Sequence, residues 1–524
     1  MKKNLNLNFY LLCFFVLAVM PLIYLSLNTP FALIDDYSDW LFIKDGFSTF
    51  LYDQTVGAFE LSAARNRPVF AFLNYFNFFF FGDNPWLHHL LRWFIKVATF
   101  LFSWKVLQLV APIYIVGEKN KDNNILCFIV MLFLWFFYPN SPDARLAPVE
   151  LELAFFLSAL IYLTIKIILI KNISKVSAFT VAGLYFSFLG LVFSKETGFA
   201  FALTSISILV ISNYIWNKSN GRNWLILSPA IVFSSWSTYA TIWRLMHGAT
   251  PYGNSGLDAI KSNIHEFYIS TLLSQLNINL PFILLAPILF IAYVLITKFR
   301  KAPTGYFKNT VNLEQLIILT FLFLELLTAI VMALLSPYAC VRYMFPFLVP
   351  FIILSGIGIG FILQQFPGGT SSNIIGIVSC YFVICVYGLT SYQYGVQYSS
   401  RNAEKLFLNG AVGLARENNG IISIHAAATE FEDKVITYMN EYREKFYSDK
   451  SASAKGGAYF GKVNAYRLIS DVPEDPGILI AEYPYIESNI VLFSKKLSRI
   501  FGSTDYYYLD CGATKDSQWL IYRK

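Results

Sequence analysis

Charged residues are scarce in this sequence. Asp, Glu, Lys and Arg together make up 14% of its 524 residues, whereas hydrophobic residues make up 56% and aromatic residues 18%. Apolar runs long enough to cross a lipid bilayer recur from Phe9 to Thr390, which a soluble core would not require. The composition therefore predicts an α-helical polytopic membrane protein.

Cysteines are few and irregularly spaced. Six occur, mostly inside apolar runs: Cys13, Cys127, Cys340, Cys380, Cys385 and Cys511. A disulfide framework or a zinc site needs cysteines at characteristic separations. Neither is predicted, and redox chemistry is not indicated.

The formal net charge of +7 is dispersed along the chain. Basic residues occur as pairs and triplets between apolar runs and do not form the single patch that nucleic-acid binding needs. They are typical of signals that set membrane topology.

The apolar runs predict about eleven membrane spans. They lie near residues 9–27, 87–110, 124–138, 149–170, 176–193, 198–215, 224–243, 277–297, 313–335, 343–363 and 373–390. Residues 1–27 start with "MKKN" and lack a small-residue cleavage pattern, so we expect a retained first span and a cytoplasmic amino terminus. The Lys/Arg-rich connections at 117–124, 171–175, 217–223 and 298–308 then all fall on the cytoplasmic side.

One apolar stretch, "PVFAFLNYFNFFFFG" (68–82), would break this alternation if it crossed the membrane. It is short, begins at Pro68 and contains Asn74 and Asn77. We therefore predict an interfacial or re-entrant helix.

The composition and hydrophobic pattern of the sequence change near residue 391. Charged residues become frequent, and a helix-like segment (432–447) alternates with the strand-like segments "GIISIHAAA", "GILIAEYPY", "YYYLDC" and "WLIYRK". We expect a transmembrane domain over 1–390, with a first external loop at 28–86, and a small extracytoplasmic α/β domain over 391–524.

Ionisable residues outside the cytoplasmic loops converge on the predicted external side. They are Asp35, Asp36, Asp39, Arg65, Arg67, His88, His89, Asp143, Arg145, Glu150, Glu152, Lys195, Glu196, Arg244, His247 and Arg342. Polar groups gathered at one membrane face indicate an active site that opens to that face. For each residue taken singly, a helix-capping role is the alternative.

The motif "IDDYSDW" follows the first predicted span. If a helix begins here, Asp39 shares a face with Asp35 or Asp36, which lie four and three residues before it. One N-cap needs a single carboxylate, whereas this motif supplies three. A carboxylate held at the interface can act as a general base on a hydroxyl group.

The segment "WLHHLLRWFIK" (86–96) carries a basic stripe. His88, Arg92 and Lys96 recur every four residues and so extend along one helix face for roughly 12 Å. Such a stripe suits a phosphate at headgroup depth. Alternatively, Arg92 and Lys96 snorkel outward or pair with Glu150 or Glu152, as we expect Lys105 to snorkel near the cytoplasmic end.

Further candidates lie in external connections. Lys195 in "FSKETG" and Arg342 in "SPYACVRYMFP" lie at helix ends, where each can bind a phosphate or pair with a neighbouring acid. In "WRLMHGATPYGN", Arg244 and His247 can reach the same cavity, and Tyr252 can stack on a sugar face.

The order of these motifs resembles the GT-C superfamily of polytopic glycosyltransferases. The resemblance runs through "IDDYSDW", "RNRPVFAFLNYFNFFFFGDNPWLHHLLRW", "SKETG" and "VRYMFPFLVP", over about the first 350 residues. The second stretch resembles polyprenyl-phosphate-sugar-dependent enzymes of bacteria and eukaryotes, and the acidic loop resembles phage-type O-antigen glucosyltransferases. The domain after residue 390 is not covered.

The resemblance implies a polyprenyl-phosphate-linked sugar donor, an extracytoplasmic site and a base at Asp35 or Asp36. For the donor phosphate we expect contacts from Arg342, Lys195, Arg92, Lys96 and Arg244. For orienting the acceptor we expect Asp39, Glu196, Arg67, His89, His247 and Tyr252. A divalent cation can bridge carboxylates and phosphate, but no motif demands one, and we expect metal independence.

The function predicted from these motifs is inverting transfer of a sugar, glucose first, to a cell-envelope glycan such as O-antigen or another lipid-linked or lipopolysaccharide glycan. The predicted location is a bacterial inner membrane, with lipids as partners and no nucleic acid. The alternatives are transfer to lipid A or a protein, a lipid-linked glycan polymerase or ligase, and a flippase or transporter. One-sided charges and the absence of an internal repeat argue against the transporter.

Overall fold

The structure is a computed structural model, and the features below rest on the residues that it describes. These are 20, 23–24, 27, 47–53, 67–82, 84–114, 127–128, 131–132, 135, 149–171, 176–195, 197–217, 228, 230–236, 238–239, 313–334, 345–364, 421–425, 462–466, 478–482 and 519–522.

Within these ranges the first two thirds of the chain are helical. The continuous helices are α1 (Phe47–Asp53), α2 (Pro68–Phe81), α3 (Pro85–Tyr114), α4 (Val149–Ile170), α5 (Ala178–Ser194), α6 (Gly198–Asn217), α7 (Leu313–Leu334) and α8 (Phe345–Gln364).

Four of these helices are long and apolar enough to cross a membrane. The qualifying segments are Trp86–Val110, Val149–Ile170, Gly198–Trp216 and Leu313–Met332, and they coincide with predicted spans. Helices α2 and α5 and the segment Phe345–Gly358 are shorter apolar helices. The predicted class, a multi-pass helical membrane protein, is confirmed. The count of about eleven spans stays a prediction, because several runs lie wholly or partly outside the described residues.

Helix α4 is the centre of the bundle. It is apolar around most of its circumference and buried along most of its length, and it packs against α3, α5, α6, α7 and α8. A helix that is hydrophobic on all sides is stable only when other helices surround it. Its 22 residues span roughly 33 Å, about the thickness of the hydrocarbon core.

Helices α4 and α5 form an antiparallel pair. Glu150 near the start of α4 contacts Lys195 at the end of α5, and Lys166 near the other end of α4 contacts Thr180 in the first turn of α5. Helices α6 and α7 pack against each other. Hydrogen bonds join them within the membrane-spanning length, from Ser205 to Glu325 at 2.8 Å and between Thr204 and Thr328 at 3.1 Å.

Helices α3 and α8 run in the same direction. Lys96 of α3 lies 5.9 Å from the ring of Phe345, the first residue of α8. Further along both helices, Gly356 of α8 approaches Leu107 of α3. The start of α8 is therefore held against the first half of α3.

Helix α2 connects the beginnings of α3 and α4. Phe70 and Ala71 in its first turn pack against Val149, the first residue of α4, and Phe78 near its end contacts the ring of His88 in α3. Its 14 residues measure only about 21 Å, too short to cross a bilayer and too short to join opposite ends of the bundle. The starts of α3 and α4 thus lie at the same end. Whether α2 is interfacial or re-entrant stays a prediction.

The boundaries of α2 follow from its sequence. Pro68 occupies the first turn, where the missing N–H costs no hydrogen bond. Gly82 ends the helix at φ 55°, a conformation that side chains with a Cβ rarely adopt, and its N–H bonds the carbonyl of Phe78 at 2.8 Å. This permits the immediate turn into α3.

Four short strands near the carboxyl terminus form one sheet. They are β1 (Ile421–His425), β2 (Lys462–Tyr466), β3 (Ile478–Glu482) and β4 (Trp519–Tyr522), in the order β2-β1-β3-β4. β1 pairs in parallel with β2 and β3, and β4 pairs antiparallel with β3, with Ile480 opposite Ile521. β1, β3 and β4 lie in segments predicted as strands, whereas β2 was not predicted. The helix-like segment 432–447 lies outside the described residues, so the α/β domain as a whole stays a prediction.

The turn between α5 and α6 requires glycine at position 198. The N–H of Gly198 bonds the carbonyl of Lys195 at 2.9 Å, and an added Cβ would overlap the carbonyl oxygen of Leu191. We expect Gly198→Ala to lower the free energy of unfolding by about 1–3 kcal/mol, because backbone must move to admit the methyl group. Thermal unfolding in detergent measures this.

The matched control is Gly183→Ala in α5. A Cβ there would meet Leu163 Cδ1 at 3.4 Å, an ordinary contact, and alanine favours a helix interior. We expect this variant to be at least as stable as the wild type. Equal stability of the two variants would contradict the close approach at Gly198.

Candidate functional site

Eight ionisable side chains are buried around the beginnings of α3 and α4. They form what we term the buried charged cluster: Arg67, His88, His89, Arg92, Lys96, Glu150, Glu152 and Lys195. Arg67 is the N-cap residue of α2, the two histidines, Arg92 and Lys96 belong to α3, and the glutamates belong to α4. Ionisable groups buried in a membrane bundle are costly and typically functional.

The Glu150–Lys195 ion pair joins α4 to α5. Lys195 Nζ donates to Glu150 Oε1 at 2.5 Å, and both side chains are more than nine-tenths buried. Glu150 lies in the first turn of α4, and Lys195 is the C-cap residue of α5. Each charge therefore also interacts favourably with the dipole of its own helix.

The basic stripe predicted on α3 faces the interior of the bundle. Arg92 and Lys96 are each 8% exposed, and the same face continues into the buried residues Thr99 and Ser103. Outward snorkelling of Arg92 and Lys96 is thus excluded. Lys105, by contrast, is exposed and donates a hydrogen bond to Gln108, as expected for a side chain outside the stripe.

Aromatic rings surround the ammonium group of Lys96. Its Nζ lies 4.9 Å from the ring centroid of Trp93 and 5.9 Å from that of Phe345. Trp135 donates from Nε1 to the backbone carbonyl of Lys96 at 2.8 Å, which attaches a third chain segment here. Cation–π contacts hold a lysine in a dry environment. Arg92, one turn earlier, repels the charge of Lys96.

Lys96 lies at the level of the two glutamates. Phe102 of α3 contacts Phe155 and Tyr162 of α4, with ring centroids 5.9 and 5.8 Å apart. Lys96 precedes Phe102 by six residues, about 9 Å of helix toward the shared end of the bundle. The same displacement along α4 leads to its first turn, which contains Glu150 and Glu152.

His88 has a structural role in the turn from α2 to α3. Its Nε2 lies 3.0 Å from the carbonyl oxygen of Gly82, and because a carbonyl only accepts, Nε2 is the donor. The rings of Phe78 and Phe81 contact the imidazole at centroid distances of 4.6 and 5.5 Å. His88, the first residue of the basic stripe, therefore holds the end of α2 against the start of α3.

The structure places five of the predicted site residues. Arg67, His89, Arg92, Lys96 and Lys195 are all buried members of the cluster. The others lie outside the described residues: Asp35, Asp36, Asp39, Glu196, Arg244, His247, Tyr252 and Arg342. Their roles, and the expected metal independence, stay predictions.

The sequence analysis named Glu150 and Glu152 as acids of the external face and as alternative partners of Arg92 and Lys96, and the alternative pairing stays a prediction. The structure pairs Glu150 with Lys195, one of the two roles expected for that lysine. Asn74 and Ser194 were not proposed as site residues, and both are fully buried. Asn74 interrupts an apolar run, which was the available signal.

The arrangement suits an anion. In the described part of the cluster, four lysine and arginine side chains accompany two glutamates, one of which is neutralised by Lys195. An anion beside Arg92 and Lys96 would be attracted by both side chains, and the attraction is stronger where water is scarce. A phosphate is such an anion, and arginine binds it bidentately.

Solved structures similar to this chain include two crystal structures of ArnT from Cupriavidus metallidurans. The structure bound to undecaprenyl phosphate has a TM-score of 0.47, and the apo structure has a TM-score of 0.44. In both cases the sequence identity is 10%, over 98% of this chain and 97% of ArnT. No protein-family model matches the sequence, and no curated protein matches it.

We expect Lys195→Met to lower the free energy of unfolding by about 3–5 kcal/mol, because it leaves Glu150 buried without its partner. Adding Glu150→Met should recover most of this loss, since the double variant buries neither charge. Thermal unfolding in detergent gives both values.

The control for this experiment is Lys171→Met. Lys171 pairs with Glu314, but its side chain is 52% exposed, so the loss should stay within about 1 kcal/mol. A Lys195→Met protein as stable as the wild type would show that the pair does not hold α4 and α5 together.

Proposed function

We propose that the chain is a GT-C-type glycosyltransferase. It transfers a sugar, with glucose as the first candidate, from a polyprenyl-phosphate donor to a cell-envelope glycan such as O-antigen. The observation that carries this proposal is the buried basic stripe, Arg92 and Lys96, at one end of a membrane helix bundle. The predicted topology assigns that end to the external side. The motif resemblance to GT-C enzymes supports it independently.

A lipid-linked donor explains why the cations are buried. A polyprenyl phosphate has its charge at headgroup depth and its chain in the hydrocarbon core, so the phosphate must be bound by side chains inside the bundle. A soluble nucleotide sugar would require an aqueous cleft. Arg92 and Lys96 are such side chains inside the bundle. The aromatic rings of Trp93 and Phe345 lie beside the ammonium group of Lys96.

The reaction is a single displacement with inversion. The carboxylate of Asp36, or of Asp35, accepts the proton of the acceptor hydroxyl as its oxygen attacks the anomeric carbon. The bond between that carbon and the phosphate oxygen breaks, and its electron pair stays on the phosphate. The products are the glycosylated acceptor and the polyprenyl phosphate.

Charge on the leaving phosphate increases in the transition state. Arg92, Lys96 and Arg342 therefore stabilise the transition state more than the bound donor, with Arg244 and Lys195 completing the basic surface. In the sequence, Arg342 precedes Phe345 by three residues, and the ring of Phe345 lies 5.9 Å from the ammonium group of Lys96. The ammonium group of Lys195 donates to Glu150 within the buried charged cluster.

The acceptor is oriented by polar side chains around this surface. Glu196 directly follows Lys195 in the sequence, and Arg67 and His89 belong to the buried charged cluster. Asp39, His247 and Tyr252 complete the set in the external loops.

The base assignment is tested with purified protein, synthetic undecaprenyl-phosphate-glucose and lipid-linked O-antigen. We expect Asp35→Asn or Asp36→Asn to abolish transfer while leaving donor binding intact, because the amide cannot accept the proton. Retained turnover in both variants would refute the assignment. Wild-type protein that neither transfers nor hydrolyses any polyprenyl-phosphate sugar would refute the proposed function, and transport assays would follow.

The phosphate role is tested on α3 itself. We expect Arg92→Gln and Lys96→Gln each to lower kcat/KM by roughly 10²–10³, the loss typical of removing one group that stabilises transition-state charge. Lys105→Gln is the matched control, because Lys105 is on the same helix but exposed. Thermal unfolding verifies that each variant is folded. Equal activity of folded Lys96→Gln and Lys105→Gln proteins would contradict the proposed phosphate site.

A further inference from the structure

Two uncharged polar side chains beside the buried charged cluster have no hydrogen-bond partner in the described structure. They are Asn74 of α2 and Ser194 of α5, both fully buried. The unpaired atoms are both amide atoms of Asn74 and the hydroxyl oxygen of Ser194. Buried polar groups of proteins are almost always paired, because an unpaired one loses its hydration without compensation.

Ser187 shows the usual arrangement in the same helix. Its hydroxyl donates to the carbonyl of Gly183, one turn earlier, at 2.8 Å. Ser194 is equally well buried but makes no such bond. A partner from outside the chain would satisfy it.

Contacts on either side of Asn74 locate it within the site. The buried face of α2 consists of Phe70, Ala71, Asn74 and Phe78. Phe70 and Ala71 pack against Val149, next to Glu150, and Phe78 packs against His88 at the start of the basic stripe. Asn74, one turn from each contact, therefore lies between the glutamate end and the stripe.

Ser194 approaches the same region from α5. It directly precedes Lys195, whose ammonium group binds Glu150. Helices α2 and α5 pack against each other. The two unpaired side chains thus belong to adjacent walls next to the charged residues.

The chemistry of these groups selects the ligand. The Asn74 amide offers one acceptor and two donors, and the Ser194 hydroxyl both donates and accepts. An ionised phosphate only accepts, so it would leave the amide oxygen of Asn74 unpaired. A sugar hydroxyl donates and accepts and can satisfy both side chains.

We infer that Asn74 and Ser194 bind hydroxyl groups of the donor sugar, while the basic stripe binds its phosphate. This inference rests on the proposed function. It divides the donor site into a part that binds phosphate and a part that binds sugar. Charged side chains hold the part of the donor that all polyprenyl-phosphate sugars share. Neutral side chains hold the part that differs between them.

The test compares two classes of probe on the purified full-length chain. One is undecaprenyl phosphate without sugar, the lipid present in the ArnT structure. The other is the same lipid linked to glucose, mannose or N-acetylglucosamine. Isothermal calorimetry in detergent gives Kd for each probe. For each sugar, the ratio of the Kd of the sugar-free lipid to that of the sugar-linked lipid isolates the contribution of the sugar.

We expect Asn74→Leu to weaken binding of the preferred sugar-bearing lipid roughly tenfold and Ser194→Ala to weaken it roughly threefold to tenfold. Binding of sugar-free undecaprenyl phosphate should not change. Asn77→Leu and Ser187→Ala are matched controls, because Asn77 is only half-buried on the same helix and Ser187 is satisfied by the backbone. Neither should change the ratio.

Stability separates a ligand contact from a structural one. If Asn74 has no partner without ligand, Asn74→Leu removes no hydrogen bond, and the thermal midpoint of the ligand-free protein should stay or rise. A clear fall would show a partner in the ligand-free state, such as a buried water, and would overturn the inference.

The remaining outcomes distinguish the two levels of the proposal. An unchanged ratio in Asn74→Leu and Ser194→Ala overturns the sugar contact and leaves the phosphate site standing. The sugar contact is also overturned if the wild-type protein binds undecaprenyl phosphate and none of the linked sugars increases the affinity. Wild-type protein that binds none of the lipids refutes the proposed function itself.

Discussion

The ion pair between Glu150 and Lys195 is the contact on which the rest of this architecture depends. It fastens the first turn of the central helix α4 to the C-cap residue of α5. Both helix dipoles favour it, and the surrounding apolar packing keeps water away from it. The tight turn at Gly198 continues from the same lysine into α6. One interaction thereby sets the relative positions of three helices.

Burying the basic residues Arg92 and Lys96 of α3 costs free energy. Arg92 and Lys96 lie one turn apart and are both buried, and apolar side chains would pack there more favourably. A bound anion would offset this cost, and the offset would strengthen anion binding. Asn74 and Ser194 are also buried polar residues, and in the described structure their side chains have no hydrogen-bond partner.

The sequence predicted the helical membrane class well, because hydropathy reports directly on which segments a bilayer accepts. It also indicated the short helix α2 from its length, and the stripe from the spacing of His88, Arg92 and Lys96. Which way the stripe faces could not be predicted, since that depends on packing against α4 and α8. The Glu150–Lys195 pair could not be predicted either, because its members are 45 residues apart. Strand β2 was missed although "KVNAY" alternates polar and apolar residues, because lysine, asparagine and alanine are uncommon in strands.

The antiparallel arrangement of α4 and α5 also bears on how the chain enters the membrane during synthesis. The two helices are joined by a short connection and face each other from Glu150–Lys195 to Lys166–Thr180. Entering together as a hairpin, they carry a glutamate and a lysine that neutralise one another before any later helix has been made. The translocation machinery would then release a pair of helices with their charges already matched, to which α6, α7 and α8 are added as translation proceeds.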